Sequence, residues 1–263
     1  MRSDSSAFLT ALRLSDSFLP VGAYTASYGI EQYVNEGLID DASDLQAVTG
    51  AYLERVVGPC ETVAVANAHA ASDAQNFEGL LAVDDRLHAV TMPREFRESS
   101  TKAGAQLCDL LLSTEVASDS SVGGGTDGRG GSGGERSGDN SANSDGDRPA
   151  HAREYAACVE SGETPGHYAV VFGVYAQTAG LEREDACLAQ GYAFLVGLLG
   201  AAQRLGRFGH TEIQAILGAL LPELETICAR HVDEPLERMG AFAPFAEVMG
   251  MRHEQATRRL FMS

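Results

Sequence analysis

Apolar residues recur three and four positions apart along much of the chain, which is the spacing of a helix with one buried face. The clearest series is Ile213, Ile216, Leu217, Leu220 and Leu221. Strand-like alternation flanked by Asn-Gly or Asp-Gly turns is missing, and the β-branched pair at 170–171 lies inside a helical window. The pattern therefore predicts an all-α fold, a helical bundle with a single core.

Helix start and stop signals support this prediction. Capping-box pairs, a Ser or Thr followed three residues later by Gln, occur at 43–46 and 211–214. The first of these helices is expected to run toward a stop at Gly58-Pro59. Thr164-Pro165 predicts another helix start, and Gly180 predicts the end of that helix.

The most apolar stretch of the sequence, Cys187 to Ala202, is too short to span a membrane and contains Gln190. It predicts a buried helix. The N-terminus has neither an uninterrupted apolar region nor a cleavage site of small residues, so we expect no export signal. The five cysteines are an odd number without a CxxC pair, which is typical of free thiols in a reducing cytoplasm.

Residues from about 117 to 149 are almost all Gly, Ser, Asp, Asn and Arg. Such a segment buries too little apolar surface to offset the entropy of ordering it. It predicts a flexible insertion between helices of one domain, residues 1–263. It contains no GxxxxGK[ST] motif, so a phosphate-binding loop is not predicted.

The chain carries 37 acidic residues against 19 basic ones, for a formal net charge of −18, and its one lysine is Lys102. No basic run is present to neutralise phosphates, so nucleic acid is not an expected partner. The acidic surplus is typical of proteins that stay soluble in concentrated salt. Surface carboxylates such as Asp40-Asp41 and Asp84-Asp85 are therefore interpreted as solvated rather than catalytic.

Seven histidines make a metal site worth considering, yet no two have the three- or four-residue spacing of helical ligands. A direct nickel-binding role, with His167, His210 or His253 as ligands across helices, stays open as an alternative. Ser27 is followed by Tyr28 and Gly29 in a sequence that partly matches GxSxG but lacks its first glycine. No acid, base and nucleophile come together, so an enzyme is not predicted and no cofactor is expected.

Five segments are more specific than a generic helix, and they lie at 14–31, 93–99, 166–173, 201–211 and 251–263. In the first, Pro20 and Gly22 interrupt the chain before a helix. In the third, Gly173 would let another helix approach closely. The last ends in an apolar tip at the chain terminus, where fraying is the rule.

These segments resemble the UreF family of urease accessory proteins. They match its SDSxLPVGxY opening, PRExR stretch, GHYxVVFG and RLGxxG segments and RRLFMS ending, in the family's order. The acidic composition suggests a haloarchaeal member. Ala23 stands where the family commonly has a second glycine, and the insertion is longer than a typical connection.

The resemblance implies an all-α, cytoplasmic, non-catalytic dimer that bridges the accessory protein UreD (also called UreH) and the GTPase UreG. The complex would deliver nickel to the urease apoprotein. Nothing in the resemblance implies a membrane or a nucleic acid.

Residue roles also follow from the resemblance alone. The tail residues expected to order against UreD/UreH are His253, Arg258, Arg259, Leu260, Phe261 and Ser263. The residues expected on or near the face that meets UreG are Pro20, Gly22, Tyr24 and Glu31. Arg204 and Tyr168 would help to organise the dimer and the complex.

Bland alternatives exist for several of these residues. Aromatic side chains at helical spacing, such as Tyr168 and Phe172, are often core residues, and Arg204 could simply cap a helix end. The apolar tip of the tail has no obvious place inside one chain, so it favours an interface.

Overall fold

The structure, a computed structural model, describes residues 5–17, 19–21, 26–119, 150–257 and 259–261, with only the backbone described for 111–119. The first helices are α1 (Ser5–Leu14), α2 (Ile30–Asn35), α3 (Ala42–Tyr52), a π-helical segment (Leu53–Thr62), α4 (Val63–Asp73), α5 (Phe77–Val90) and α6 (Arg94–Asp119). The others are α7 (Ala150–Ser161), α8 (Tyr168–Thr178), α9 (Arg183–Arg204), α10 (His210–His231), a 3₁₀ turn (Leu236–Arg238) and α11 (Pro244–Glu254). These residues contain no strand, which confirms the all-α prediction.

Helix α8 lies at the centre of the bundle and packs against α4, α6 and α9. It is apolar all round, and its residues from Ala169 to Ala176 are buried. Helix α9 also packs against α10 and α1, and α11 closes the bundle against α2 and α6. The buried apolar side chains form one contiguous core, while the division of the chain into domains stays a prediction.

The close approach predicted at Gly173 is confirmed where α8 crosses α4. A Cβ atom placed at Gly173 would lie 2.6 Å from the Val65 carbonyl oxygen and 3.0 Å from Ala68 Cβ. Because backbone atoms cannot easily move aside, only glycine fits at this crossing.

Three helices begin at other residues than the capping signals predicted. Asp41, not Ser43, caps α3, since its carboxylate accepts hydrogen bonds from the amides of Ser43 and Asp44. The N-cap of α10 is Gly209, two residues before the predicted cap at Thr211, and Glu212 accepts a hydrogen bond from the Gly209 amide at 2.8 Å. Helix α8 begins at Tyr168, after the predicted start at Thr164-Pro165, although its end before Gly180 is confirmed.

The predicted stop at Gly58-Pro59 is wrong, because the chain stays helical there as a π-helical segment between α3 and α4. Proline lacks an amide hydrogen, so the Arg55 carbonyl four residues earlier would lose its partner in an α-helix. The Phe242 amide donates to that carbonyl at 3.3 Å, and the Gly240 amide donates to the Pro59 carbonyl at 3.1 Å. A distant loop thus allows the helix to continue.

Helix α9 contains the apolar stretch that predicted a buried helix, and the structure confirms it. Among the described residues it is the one helix long and apolar enough to cross a membrane, yet 61% of its most apolar window is buried inside the bundle. This burial is that of a core helix.

The predicted insertion lies mostly outside the described residues. Helix α6 continues through Asp119, three residues into the predicted segment, and 120–149 are not described.

Candidate functional site

A buried polar network joins the C-terminal tail to three helices. His253 of α11 is 1% exposed, and its Nδ1 lies 2.7 Å from Glu95 Oε2 while its Nε2 lies 3.0 Å from Glu31 Oε2. Arg259 donates a hydrogen bond to the other oxygen of Glu95. We call Glu31, Glu95, His253 and Arg259 the tail network. It connects α2, α6 and α11 with the residues that follow α11.

Glu31 also holds the tail through backbone hydrogen bonds. Its Oε1 accepts from the Leu260 amide at 2.8 Å, and its Oε2 accepts from the Phe261 amide at 3.0 Å. Burial alone would raise the pKa of Glu31, but the bonds from the two amides and from His253 outweigh burial and lower this pKa below its usual value. The carboxylate is therefore ionised and anchors the tail at neutral pH.

The expectation that the apolar tip finds no place within one chain is wrong for Phe261. Its ring is buried, and the Arg204 guanidinium lies over it, 5.1 Å from the ring centroid. Arg204, the last residue of α9, thus contacts the tail in a cation–π arrangement. The adjacent Leu260 is 65% exposed, so one tip side chain packs inward and the other faces outward.

Other predicted interface residues are only partly described. Pro20 is exposed, whereas Glu31 is 5% exposed and turned toward the tail network. Tyr168 begins α8, and its amide donates to Ser100 Oγ at 3.2 Å. Gly22, Tyr24, Arg258 and Ser263 lie outside the described residues.

Asp84 corrects the interpretation of the paired carboxylates as surface groups. It is fully buried on α5 and accepts hydrogen bonds from Thr164 Oγ1 at 2.7 Å and from the amides of Gly166 and His167 at 2.6 and 2.9 Å. A carboxylate that satisfies the free amides before α8 fixes the start of that helix. Asp85, its neighbour in sequence, is exposed as predicted.

Two histidines meet beside Asp84. His88 Nδ1 lies 3.0 Å from His167 Nε2, and His167 Nδ1 lies 3.0 Å from Ser100 Oγ. Burial, followed by the neighbouring His88 and Arg97, lowers the pKa of His167 to about 3, so its ring is neutral. His167 is buried, whereas His88 is exposed to solvent.

The described part of the chain supports neither a metal site nor Ser27 as a nucleophile. No three His, Cys, Asp or Glu side chains there converge in a way that could hold a metal ion. His210 is exposed and bonds Gln203, and His253 is fully engaged by two carboxylates. Ser27 is fully buried, and its hydroxyl has no hydrogen-bond partner among the described atoms, so no base activates it.

The five cysteines are free thiols, as predicted. Four of them are buried, and only Cys158 is partly exposed. Burial raises the pKa of the Cys60 and Cys187 thiols, which keeps them protonated and unreactive.

Several large apolar side chains are exposed, and two groups of them lie on the first and last helices of the described residues. Phe245, Val248 and Met251 recur every three residues on α11, and we group them with the exposed Leu260 of the tail as the C-terminal surface. On the opposite terminal helix, α1, the exposed apolar residues are Phe8, Leu9 and Leu12. Exposed apolar patches of this kind commonly mark sites of protein association.

The described residues form a helical bundle with a buried polar network at its tail and with exposed apolar groups, which is typical of proteins that associate with partners. Comparison with known proteins identifies the family. The sequence profile of UreF matches residues 39–221, more than half of the chain. The chain therefore belongs to the UreF family of urease accessory proteins.

Relatives match over nearly the full length of the chain. Urease accessory protein UreF of Trichodesmium erythraeum is 27% identical over 261 residues, which cover 99% of both chains. Urease accessory protein UreF 1 of Brucella melitensis is 26% identical over 97% of this chain and 92% of its own. Urease accessory protein UreF of Arthrobacter sp. is 27% identical over 97% of this chain and 96% of its own. These relatives do not support the attribution to a haloarchaeal organism.

Sequence reasoning identified His253, Arg259 and Glu31 without showing that they meet. It did not single out Glu95, which lies within the PRExR stretch and is the second carboxylate on His253. The one signal available in the sequence was the negative charge of Glu95 within that segment, which an arginine of the tail could pair with.

Proposed function

We propose that this protein is a cytoplasmic scaffold of urease maturation that docks UreD/UreH and the GTPase UreG. It would act as a homodimer in delivering nickel to the urease apoprotein, without catalysing a reaction itself. Family membership supports the accessory role. The observation that carries the docking proposal is the C-terminal surface, an exposed apolar face beside a tail whose backbone is fixed.

The tail network supplies the rigidity that such docking needs. The side chain of Leu260 is exposed, while its own amide is held by Glu31 and the ring of Phe261 is held by Arg204. Because the tail is already ordered on this chain, a partner that covers Leu260 has little additional ordering entropy to overcome. We propose that UreD/UreH binds here.

Glu31 offers a route for coupling between the two proposed interfaces. It follows the turn proposed to meet UreG, and its carboxylate holds the tail proposed to meet UreD/UreH. A partner that shifted α2 would therefore change the position of the tail. Coupling of this kind would appear as a change in affinity at one interface when the other is occupied.

The direct test is co-purification of this chain with its cognate UreD/UreH and UreG, comparing the wild type with Leu260→Asp. The variant places a charge at the centre of the proposed contact but removes no bond of the tail network. We expect it to lose UreD/UreH and to keep its own stability.

Leu221→Asp is the matched control, since Leu221 is an exposed leucine on α10, away from the C-terminal surface. It should co-purify like the wild type. Equal capture of UreD/UreH by all three proteins would refute docking at the C-terminal surface. Failure of the folded wild type to capture either partner would refute the scaffold role itself.

A further inference from the structure

A cavity of about 90 Å³ opens between the π-helical segment, α6, α8, α9 and the start of α11. Five aromatic rings line it, those of Tyr28, Tyr52, Phe96, Tyr168 and Phe194. Tyr28 packs against both phenylalanines, with ring centroids 4.8 Å from Phe194 and 5.7 Å from Phe96. The walls are thus aromatic faces held at fixed angles.

The charged groups among the described residues that line this cavity are both carboxylates, Glu61 and Glu247. Glu61 comes from the π-helical segment, and the one hydrogen bond found for its side chain comes from Gln190 Nε2, at a long 3.3 Å. Burial raises the pKa of Glu61 to about 7, as expected for a carboxylate without a cation beside it.

Gln190 contributes a second acceptor. Its side chain is 2% exposed, it lines the cavity, and its Oε1 has no hydrogen-bond partner among the described atoms. A buried amide oxygen left without a donor destabilises the folded chain. Glu61 and Gln190 thus bring to the cavity wall a carboxylate with one long hydrogen bond and a buried amide whose oxygen lacks a donor.

We propose that this cavity binds a small organic cation, a guanidinium or alkylammonium group, through Glu61, the free oxygen of Gln190 and the surrounding aromatic faces. The cation neutralises Glu61, donates a hydrogen bond to Gln190 and gains cation–π contacts with Tyr28 and Phe194. This inference does not depend on the scaffold role.

The chemistry of the walls excludes other occupants. An anion would meet two carboxylates, and a purely apolar group would leave Gln190 Oε1 without a donor. The volume of about 90 Å³ is smaller than the roughly 150 Å³ of a cavity that holds benzene, so the site suits a side-chain-sized head group rather than a nucleotide. The cation could be free in solution or be the end of an arginine or lysine on a bound polypeptide.

The test is an NMR titration of the full chain with methylguanidinium, methylammonium and the blocked tripeptide Gly-Arg-Gly. We expect saturable shifts in residues around the cavity, with a Kd of about 1 mM, the order that one partly desolvated ion pair with a cation–π contact supports. Tighter binding of the tripeptide would identify a polypeptide side chain as the source, and binding of the free cations alone would identify a small molecule.

Glu61→Gln should weaken binding at least tenfold, whereas Glu225→Gln, which removes an exposed carboxylate on α10, should leave it unchanged. A circular dichroism melt checks that both variants are folded. The proposal is overturned if no probe binds the wild type, if Glu61→Gln binds equally well, or if tetramethylammonium or a divalent metal ion binds more tightly than the N–H donors.

Discussion

Four carboxylates that are buried or half-buried in this acidic chain are satisfied to different degrees. Asp84 accepts three hydrogen bonds, Glu31 accepts from two amides and His253, and Glu95 accepts from His253 and Arg259. Glu61 has one long bond from an amide side chain. A buried charge is costly unless it is paired. The first three carboxylates are therefore assigned a structural role, and Glu61 is the one of the four proposed to bind a ligand.

The contribution of the tail network can be measured at Glu95. We expect Glu95→Gln to lower the free energy of unfolding by about 1.5–3 kcal/mol, since it removes the charged acceptor from His253 and Arg259. Urea denaturation followed by circular dichroism gives the value. Glu98→Gln, one turn away on the same helix, removes only an exposed pair with Arg94 and should change stability by no more than about 1 kcal/mol. Similar losses in both variants would contradict a specific role for Glu95.

Glu61 should make stability depend on pH in the opposite direction to an anchored carboxylate. Its pKa is raised from the usual 4.5 to about 7 in the folded chain, so the folded state binds more protons and stability falls as pH rises between about 4.5 and 7. Tyr28, Tyr168 and Cys60, whose pKa values are also raised, stay neutral over this range.

Glu61→Gln removes the titrating carboxyl group, so comparing this variant with the wild type measures how much Glu61 contributes to the pH dependence of stability. Relative to the wild type, we expect the free energy of unfolding of the variant to increase by about 1–3 kcal/mol from pH 5 to pH 8. The upper value corresponds to the full pKa shift of Glu61, and the lower value allows for its half-buried side chain. Denaturant unfolding of both proteins at the two pH values gives the difference. A constant difference would mean that Glu61 is not desolvated.

At the scale of elements, the crossing of α8 and α4 depends on the absence of a side chain at Gly173. Gly173→Ala would force a Cβ atom within 2.6 Å of a backbone oxygen, and overpacking of this kind costs about 1–3 kcal/mol. Gly218→Ala on α10 meets nothing within 4 Å and should stabilise the helix by up to about 1 kcal/mol. Thermal melts of the two variants should therefore shift in opposite directions, and a shared direction would contradict the packing argument.

How far the sequence predicts each element depends on whether its cause is local. The apolar spacing of α10 and the small residue at Gly173 are local signals, and both predictions are confirmed. The π-helical segment was missed because the Arg55 carbonyl is satisfied from Phe242. The approach of Glu31 to His253 spans 222 residues, so no window of sequence could reveal it.

Residues from near both ends of the described chain meet in the tail network. In the tail network, Glu31 lies near the N-terminus, and His253 and Arg259 lie near the C-terminus. Helix α6 supplies Glu95, which contacts both His253 and Arg259. The sequence predicts that Glu31 lies at one interface and that His253 and Arg259 lie at another, and in the structure these three residues belong to one cluster. Binding at either end of the chain therefore has a physical connection to the other.

The net charge of −18 should make the stability of the whole molecule depend on salt. Most of the acidic surplus lies outside 120–149, so folding brings many carboxylates close together, and their repulsion falls as the Debye length shortens from about 30 Å at 0.01 M to about 8 Å at 0.15 M. We expect the melting temperature to rise steeply over this range and to level off above it. The rise should be equal for sodium chloride and sodium bromide, because screening depends on ionic strength and not on the identity of the anion. A rise that differs between the two salts, or that continues linearly toward 1 M, would show that exclusion of salt from the surface, rather than repulsion between carboxylates, governs stability.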